Sequence, residues 1–245
     1  ISGMGELHLE IMVDRLQREF KVDCKAGTPR VAYRETITEA VDSVTKFEKM
    51  LDGKEQFASC SITLEPLKAG GGFEFTNKMS AYDLPANFVV AVEQGVRDAM
   101  GNGVLAGFEM IDLKVSLVAA EYLEEVSTEI AFSIAGMNAL RAGVQKARPT
   151  LLEPSMKIEV VTPVSFTGEV IGDLNARHGR IRGMEVQGEF QVISAEAPLA
   201  EMFGYSTRLR SLTQGRATFT MHFSHYSTVT EATRKALTGE SSCSG

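Results

Sequence analysis

Apolar and polar residues alternate along several short stretches in the first half of the chain. Every second residue is apolar from 58 to 64 and again from 111 to 117, which is the period of a strand with one buried face. Phe73 and Phe75 restart the same pattern directly after the glycine turn at residues 70–72. Each of these stretches predicts a β-strand.

Two longer segments repeat their apolar residues at the spacing of a helix. The first follows Pro85 and ends near Gly101 and Gly103, and the second ends before Pro149. The first helix is predicted to turn inward Phe88, Val92, Val96 and Ala99. The second is predicted to turn inward Ile130, Ile134, Met137, Leu140 and Val144. Together with the strands, these helices make residues 31–148 an α+β domain.

A more compact pattern fills residues 156–223. It follows residues 149–154, whose prolines and few helix-forming signals predict a linker. The predicted elements are a strand at 156–163, a helix at 165–177, strands at 180–187 and 189–195 that turn at Gly188, a helix at 198–213 and a strand at 216–223. The order βαββαβ is that of a ferredoxin-like domain. Residues 229–245 show no periodicity and are predicted to form a flexible tail.

The first residues predict the end of a domain. Four apolar residues share one face of an amphipathic helix: Leu9, Val13, Leu16 and Phe20. No strand precedes this helix, and the chain starts without Met. We therefore expect residues 1–28 to be a truncated α/β piece whose beginning lies upstream.

The composition is that of an ordinary globular protein. Of the 245 residues, 44% are hydrophobic and 23% are charged, which excludes a disordered or collagen-like chain. No apolar stretch approaches the 18 or so residues that a membrane helix needs. Cys24, Cys60 and Cys243 lie too far apart in sequence for a local metal knuckle or disulfide framework. A reducing, cytoplasmic compartment fits this pattern.

Charge is distributed unevenly along the chain. The formal net charge is −7, of which −6 falls on residues 1–152 and −1 on residues 153–245. All six basic side chains of residues 173–216 are arginines: Arg177, Arg180, Arg182, Arg208, Arg210 and Arg216. Arginine presents a planar fork that suits phosphate and stacks on bases. Near His178, these arginines would repel a metal cation and attract a polyanion, so the pattern favours nucleic acid.

Motifs for catalysis or nucleotide binding are absent from the sequence or incomplete. No G-x-x-x-x-G-K-[ST] phosphate loop and no H-E-x-x-H metal motif occur. Residues 77–80 (NKMS) imitate the guanine-binding N-K-x-D motif, but Ser80 replaces its aspartate. Adjacent Glu124 and Glu125 would point about 100° apart on a helix, so they cannot flank one bond. The sequence predicts no catalytic residue, cofactor or metal site within this chain.

Several motifs, in the same order, resemble the C-terminal part of elongation factor G. They are residues 1–11 (ISGMGELHLEI), 151–156 (LLEPSM), 172–179 (GDLNARHG) and 198–216, which contain PLAEMFGY and LRSLTQGR. The resemblance implies that residues 1–28 end domain III, 29–152 form domain IV and 153–228 form domain V. It implies an S5-domain-2-like fold with a left-handed βαβ crossover for domain IV, against the usual right-handed rule. Domain V would be ferredoxin-like.

The same resemblance implies a function on the ribosome. Domain IV would probe the decoding side, with its tRNA and mRNA, and domain V would rest near the GTPase-associated region of the large subunit. Ribosomal RNA would be bound by Arg177, His178, Arg180, Arg210 and Arg216. GTP with Mg would be bound in an upstream GTPase domain of the parent protein, so this fragment would hydrolyse nothing. We also expect a monomer without a membrane partner.

The chain departs from the family pattern at the tip of domain IV. The family commonly has a glycine-rich loop where this chain has residues 49–57 (KMLDGKEQF). Alignment of the second tip loop through its tyrosine places Leu123 where the family has a histidine. Leucine cannot donate a hydrogen bond to RNA, and neighbouring glutamates add negative charge near phosphate. The tip residues of this chain are Asp52, Gly53, Lys54, Tyr122, Leu123 and Glu124.

Two alternatives to a translocation factor stay open. The altered tip is compatible with a divergent paralogue specialised for ribosome recycling or for another stalled state. A stand-alone RNA-binding module is the other alternative, and it would require a start codon immediately before Ile1.

Overall fold

The structure is a computed structural model, and it describes residues 15–16, 18–21, 31–51, 54–80 and 82–239. Its strands are β1 (Arg34–Ile37), β2 (Val41–Leu51), β3 (Lys54–Pro66), β4 (Phe73–Asn77), β5 (Leu113–Glu121), β6 (Pro149–Pro163), β7 (Arg180–Gln187), β8 (Phe190–Pro198) and β9 (Thr218–Thr228). Its helices are α1 (Ala86–Asn102), α2 (Glu129–Lys146), α3 (Thr167–Ala176), α4 (Tyr205–Leu212) and α5 (Glu231–Thr238). Unit 1 contains Ile1–Ala32 and Glu153–Ser227, and unit 2 contains Tyr33–Leu152 and Thr228–Gly245.

The main sheet of unit 2 has the strand order β2–β3–β5–β4. β3 pairs antiparallel with both β2 and β5. β4 runs parallel to β5, and the chain between them crosses over through α1. A parallel pair needs such a long connection, since a tight turn would reverse the chain direction. Outside this sheet, β1 pairs antiparallel with residues 149–152 at the start of β6.

The alternating strand predicted at residues 58–64 is confirmed in β3. Its apolar residues, Ala58, Cys60, Ile62 and Leu64, have no exposed surface and join the core of unit 2. Burial raises the pKa of the Cys60 thiol to about 12. The thiol is therefore protonated at neutral pH and acts as a small apolar group in this core.

Helices α1 and α2 approach each other at glycines. A Cβ on Gly95 would lie 1.9 Å from the carbonyl oxygen of Ser133, and a Cβ on Gly136 would lie 2.7 Å from that of Val92. No side chain fits at such a backbone contact, so glycine is required at both positions.

Because of this close contact, the buried face of α2 differs from the one predicted from the sequence. Ile130 is 65% exposed, and Ile134 and Met137 are only partly buried. Small residues occupy most of the buried face instead, because the two backbones leave no room for long side chains. The buried residues of α2 are Ala131, Phe132, Ala135, Gly136, Ala139, Leu140, Gly143 and Val144.

Unit 1 has the strand order β9–β6–β8–β7. β8 pairs antiparallel with both β6 and β7. Residues from α3 and α4, among them Leu174 and Leu209, share one core with Ile158 and Ile193 of the sheet. The predicted βαββαβ order is confirmed, and Gly188 takes a positive φ of 65° at the turn between β7 and β8.

Two predicted elements of this region are wrong. Residues 149–154 are strand and not a linker, because Leu151 is fully buried and pairs with β1. The helix predicted at 198–213 is interrupted, since a 3-10 turn at Leu199–Met202 and then Gly204, with a φ of 71°, precede α4.

The residues after β9 form a helix, which corrects the prediction of an irregular tail at residues 229–238. Val229 is buried and donates its N–H to the Leu151 carbonyl at 3.1 Å. The hydroxyl of Thr230 then caps α5 by accepting from the N–H of Thr233 at 3.3 Å. One buried contact and one cap precede a short helix in which no residue is fully buried.

Most of the predicted N-terminal helix lies outside the described residues. Within them, residues 15, 16 and 18 are helical and Phe20 is exposed. Across the described parts of the chain, no helix has the length and apolar character needed to cross a membrane.

Candidate functional site

The first group of candidate residues lies where α3 ends and β7 begins. The helix closes with the N–H of Gly179 donating to the Leu174 carbonyl at 2.8 Å, and His178 takes a positive φ of 57°. A Cβ on Gly179 would lie 2.7 Å from that carbonyl oxygen, so this position requires glycine. The turn places Arg177, His178 and Arg180 at one end of unit 1.

Arg177, one of the residues expected to bind ribosomal RNA, already has several partners within the protein. Its side chain is 19% exposed, and its Nε donates to the Asp173 carboxylate at 3.0 Å. Its Nη1 donates to the carbonyl oxygens of Glu201 at 2.5 Å and Phe203 at 3.4 Å. The guanidinium also lies 5.2 Å from the ring centroid of Tyr205.

Asp173 connects α3 to α4. Its side chain is 11% exposed, and its second oxygen accepts from the Nε of Arg208, on α4, at 3.1 Å. Burial of Tyr205 and the nearby charge of Asp173 raise the pKa of the tyrosine hydroxyl above its usual range. We call Asp173, Arg177, Arg208 and Tyr205 the arginine network.

Arg180, Arg210 and Arg216 are the candidate arginines with exposed side chains. Among the described residues, Arg180 and Arg210 have no ion-pair partner. Arg216 donates to the Oε1 of Gln214 at 3.0 Å and lies 4.7 Å from the ring centroid of Phe166. These three side chains can therefore present positive charge to an anionic partner without breaking an internal ion pair.

His178 faces a carboxylate. Its Nδ1 lies 3.4 Å from the Oε1 of Glu201, and both side chains are largely accessible. Buried Glu153 lies near this pair, and burial together with the charge of Glu201 raises the pKa of Glu153, against an opposing effect of His178. The acidic side chains of Glu201 and Glu153 offset the positive charge that a protonated His178 would offer to RNA.

The second group of candidates, at the tip of unit 2, is only partly described. Asp52 and Gly53 lie outside the described residues, and Lys54 begins β3 opposite Leu51 of β2. In the other tip loop, the ring of Tyr122 is partly buried, 5.8 Å from that of Phe88. Tyr122 therefore packs against α1 and is not fully exposed at the tip.

Leu123 and Glu124 are exposed in the second tip loop, and Leu123 is 51% exposed. The hydroxyl of Ser127 holds this loop by donating to the Phe57 carbonyl at 2.6 Å and accepting from the Leu123 N–H at 2.9 Å. Thr128 caps α2 and donates to the side chain of Gln56. The loop is well anchored, yet its exposed surface is apolar and acidic.

Buried Glu35 organises a neighbouring loop that the sequence did not single out. Its carboxylate accepts four backbone N–H groups of residues 104–108 at 2.7 to 3.0 Å. No periodicity or motif indicates such a role, because its partners lie about 70 positions away. Asp173 could have been found, since it precedes Arg177 by four residues on a predicted helix.

Metal chemistry has no candidate site in the described parts of the chain, where no His, Cys, Asp and Glu side chains group to hold an ion. The exposed arginines can bind anions. The tip can make steric, apolar or acidic contacts.

Comparisons with known proteins give one consistent answer. Three family models match the chain: Elongation Factor G, domain III, at residues 1–28, Elongation factor G, domain IV, at 29–148, and Elongation factor G C-terminus at 150–237. A crystal structure of a protein from Thermus thermophilus is similar over 97% of this chain, with 36% sequence identity and a TM-score of 0.83. This chain spans 36% of the length of that protein. Because the three matches follow one another and cover nearly every residue, this protein belongs to the elongation factor G family and corresponds to its C-terminal part.

Proposed function

We propose that this chain is the ribosome-binding part of a translational GTPase of the elongation factor G type. The whole protein would promote GTP-dependent movement of tRNA and mRNA in the cytoplasm. The observation that carries the proposal is the succession of domain III, domain IV and C-terminal family matches along one chain. GTP and Mg would be bound outside this chain, which would supply binding surfaces and no catalytic step.

In unit 1, the proposed RNA contacts are Arg180, Arg210 and Arg216. Their exposed guanidinium groups can donate paired hydrogen bonds to phosphate oxygens. Each phosphate contact releases condensed counterions, so binding of this kind weakens as salt rises. The stacking of Arg216 on Phe166 limits the entropy lost when that side chain is fixed on RNA.

In unit 2, the proposed role of the tip is to occupy space on the decoding side. Leu123 has no group that could read RNA, and Glu124 would be repelled by phosphate. The hydrogen bonds of Ser127 keep the loop in place without help from a partner. A rigid loop of this kind can block the return of tRNA by its bulk alone.

A single-round translocation assay tests the proposal. The full-length protein that contains this chain is added with GTP to pre-translocation ribosomes, and mRNA movement is followed. We expect movement, and we expect Arg210→Ala with Arg216→Ala to weaken ribosome binding about tenfold and to flatten its salt dependence. Arg182→Ala is the matched control, since Glu196 already pairs with Arg182 at 2.5 Å in the same unit. Absence of ribosome binding by the original protein would overturn the proposal.

The acidic tip favours a second candidate function, ribosome recycling by a divergent paralogue. Residues 121–129 contain four glutamates and no basic residue. Binding and GTP turnover without mRNA movement, together with separation of the ribosomal subunits, would support recycling. Replacing the tip loop with the family's histidine-containing loop should then change activity, and an unchanged activity would count against this candidate.

A further inference from the structure

We propose that Arg177 is a positioning residue, which fixes the start of α4 and thereby the direction in which Arg210 is presented. Direct phosphate binding is the role that the sequence suggested for it. The inference rests on the proposed ribosome-binding function, and it assigns different tasks to arginines that look equivalent in the sequence.

The contacts of Arg177 converge on one short segment. Both carbonyl oxygens that accept from its Nη1, those of Glu201 and Phe203, belong to the residues that connect β8 to α4. Gly204 follows directly as the N-cap of α4; it has no side chain to cap the helix and takes a φ of 71°. Arg177 therefore supplies, from α3, the hydrogen bonds that fix this entry.

The ring of Tyr205 extends the same contact into α4 itself. Tyr205 is the first residue of that helix, is 1% exposed and lies beneath the guanidinium of Arg177. Its other side packs against Phe219 of β9, with ring centroids 5.0 Å apart. The first turn of α4 is thus held between an arginine and the sheet.

Asp173 completes the connection and explains why Arg177 is unavailable to RNA. Its carboxylate pairs with Arg177 through one oxygen and with Arg208 through the other. A phosphate could bind Arg177 only by displacing these internal partners from a side chain that is 19% exposed. The arginine network ties α3 to α4 at two points, and Arg210 follows Arg208 by two residues.

Two substitutions give different ribosome affinities depending on whether Arg177 positions α4 or binds phosphate. Arg177→Lys keeps the positive charge, but a lysine cannot reach Asp173 and both carbonyl oxygens with one planar group. Asp173→Asn removes a negative charge beside the proposed RNA surface. If Arg177 positions α4, both variants weaken ribosome binding, by about fivefold to tenfold. If Arg177 binds phosphate, Arg177→Lys has little effect and Asp173→Asn strengthens binding.

A double-mutant cycle separates positioning from general destabilisation. In the full-length protein, Arg177→Lys is combined with Arg210→Ala, and ribosome affinity is measured over a range of salt. A residue that acts through Arg210 has little further effect once Arg210 is gone. A substitution that merely loosens unit 1 would lower the affinity equally in both backgrounds, and that result would overturn the proposal. Arg182→Lys is the matched control, since Arg182 is an exposed arginine outside the proposed RNA contacts and pairs with Glu196 of the neighbouring strand.

Hydrogen exchange tests the geometry without ribosomes. We expect faster exchange of the amides of residues 203–208 in Arg177→Lys and in Asp173→Asn, and unchanged exchange there in Arg182→Lys. Unchanged exchange in Arg177→Lys would contradict the positioning role even if ribosome binding were normal. Failure of the original protein to bind ribosomes would instead refute the proposed function and leave this exchange result to decide the role of Arg177.

Discussion

In unit 2, α1 and α2 approach so closely at Gly95 and Gly136 that no side chain fits between their backbones, whereas in unit 1 charged side chains connect α3 to α4. The first pair is fixed by shape and the second by hydrogen bonds and ion pairs. The stability of a close-packed contact falls when volume is added and does not depend on salt. The stability of a charged network depends on the identity of each charged group. We therefore expect different kinds of substitution to destabilise the two units.

The surfaces that these helices carry differ in the same way. The tip of unit 2 presents Leu123 and Glu124 on a loop that is anchored by Ser127. Unit 1 presents exposed arginines at the end of a network whose inner arginines are already paired. In both units, the anchoring groups are partly buried and the candidate contact groups are exposed.

The largest effect is expected from adding volume to the helix contact of unit 2. Gly95→Ala places a methyl group 1.9 Å from a backbone oxygen, so α1 and α2 must separate. We expect a loss of about 3 kcal/mol in the free energy of unfolding, measured by chemical denaturation. Gly101→Ala, in the same helix, is the control: no heavy atom lies near its Cβ, and it should stabilise by about 0.5 kcal/mol. Equal effects of the two substitutions would refute the close contact.

A slightly smaller effect is expected where a charge takes part in the packing of unit 2. Glu35→Gln replaces an acceptor of four N–H groups by an amide whose own N–H₂ would face donors. The free energy of unfolding should fall by about 2 to 3 kcal/mol in a urea titration. Glu39→Gln removes only an exposed ion pair with Arg148 and should cost at most about 1 kcal/mol. A neutral result for Glu35→Gln would mean that residues 104–108 do not depend on this carboxylate.

The anchor of the tip loop gives a local effect. Ser127→Ala removes the hydroxyl that bonds Phe57 and Leu123, which should cost about 1 kcal/mol. Amide exchange should become faster at residues 123–127 and stay unchanged elsewhere in unit 2. Ser59→Ala, on the strand that carries Phe57, is the control, because its hydroxyl has no hydrogen-bond partner among the described residues. Slow exchange in Ser127→Ala would show that the loop is held by other contacts.

The smallest effect concerns pH and unit 1. The pKa of Glu153 is raised by burial and by Glu201, so at pH values between its ordinary and its raised pKa the folded state holds a proton that the unfolded chain releases. The contribution of Glu153 to stability is therefore complete below its ordinary pKa and is lost as the pH rises through the raised value. Glu153→Gln should stabilise slightly at neutral pH, and this advantage should disappear below about pH 4.

The control for this pH effect is Glu159→Gln, at an exposed position of the same strand. Thermal unfolding of both variants is followed from acidic to neutral pH. The same pH profile in the two variants would show that burial of Glu153 has no consequence for stability.

Local sequence patterns predicted the elements that depend on local physics. The alternation in β3 placed its core face correctly, because successive side chains of a strand point to opposite sides. Leu140 and Val144 were placed correctly on α2, but Ile130 was not, since the seam with α1 favours small residues over large apolar ones. The strand at residues 149–154 was missed because its partner, β1, lies more than 100 residues earlier.

The candidate site divides in the same way. The sequence indicated that residues 173–216 are rich in arginine, and it placed Leu123 at the tip. It could not distinguish Arg177 from Arg210, because both are arginines at helix ends. The distinction depends on Glu201 and Phe203, whose backbone oxygens reach Arg177 only after α3 and α4 have packed on the sheet.

By itself, the sequence determined the α+β class, the ferredoxin-like order of unit 1 and the family to which the chain belongs, because periodicity and motifs are properties of neighbouring residues. Only the tertiary structure decided which charged groups are neutralised and which are exposed. Neutralisation requires two groups to lie within a few ångströms, and that distance is set by the packing of elements far apart in the chain.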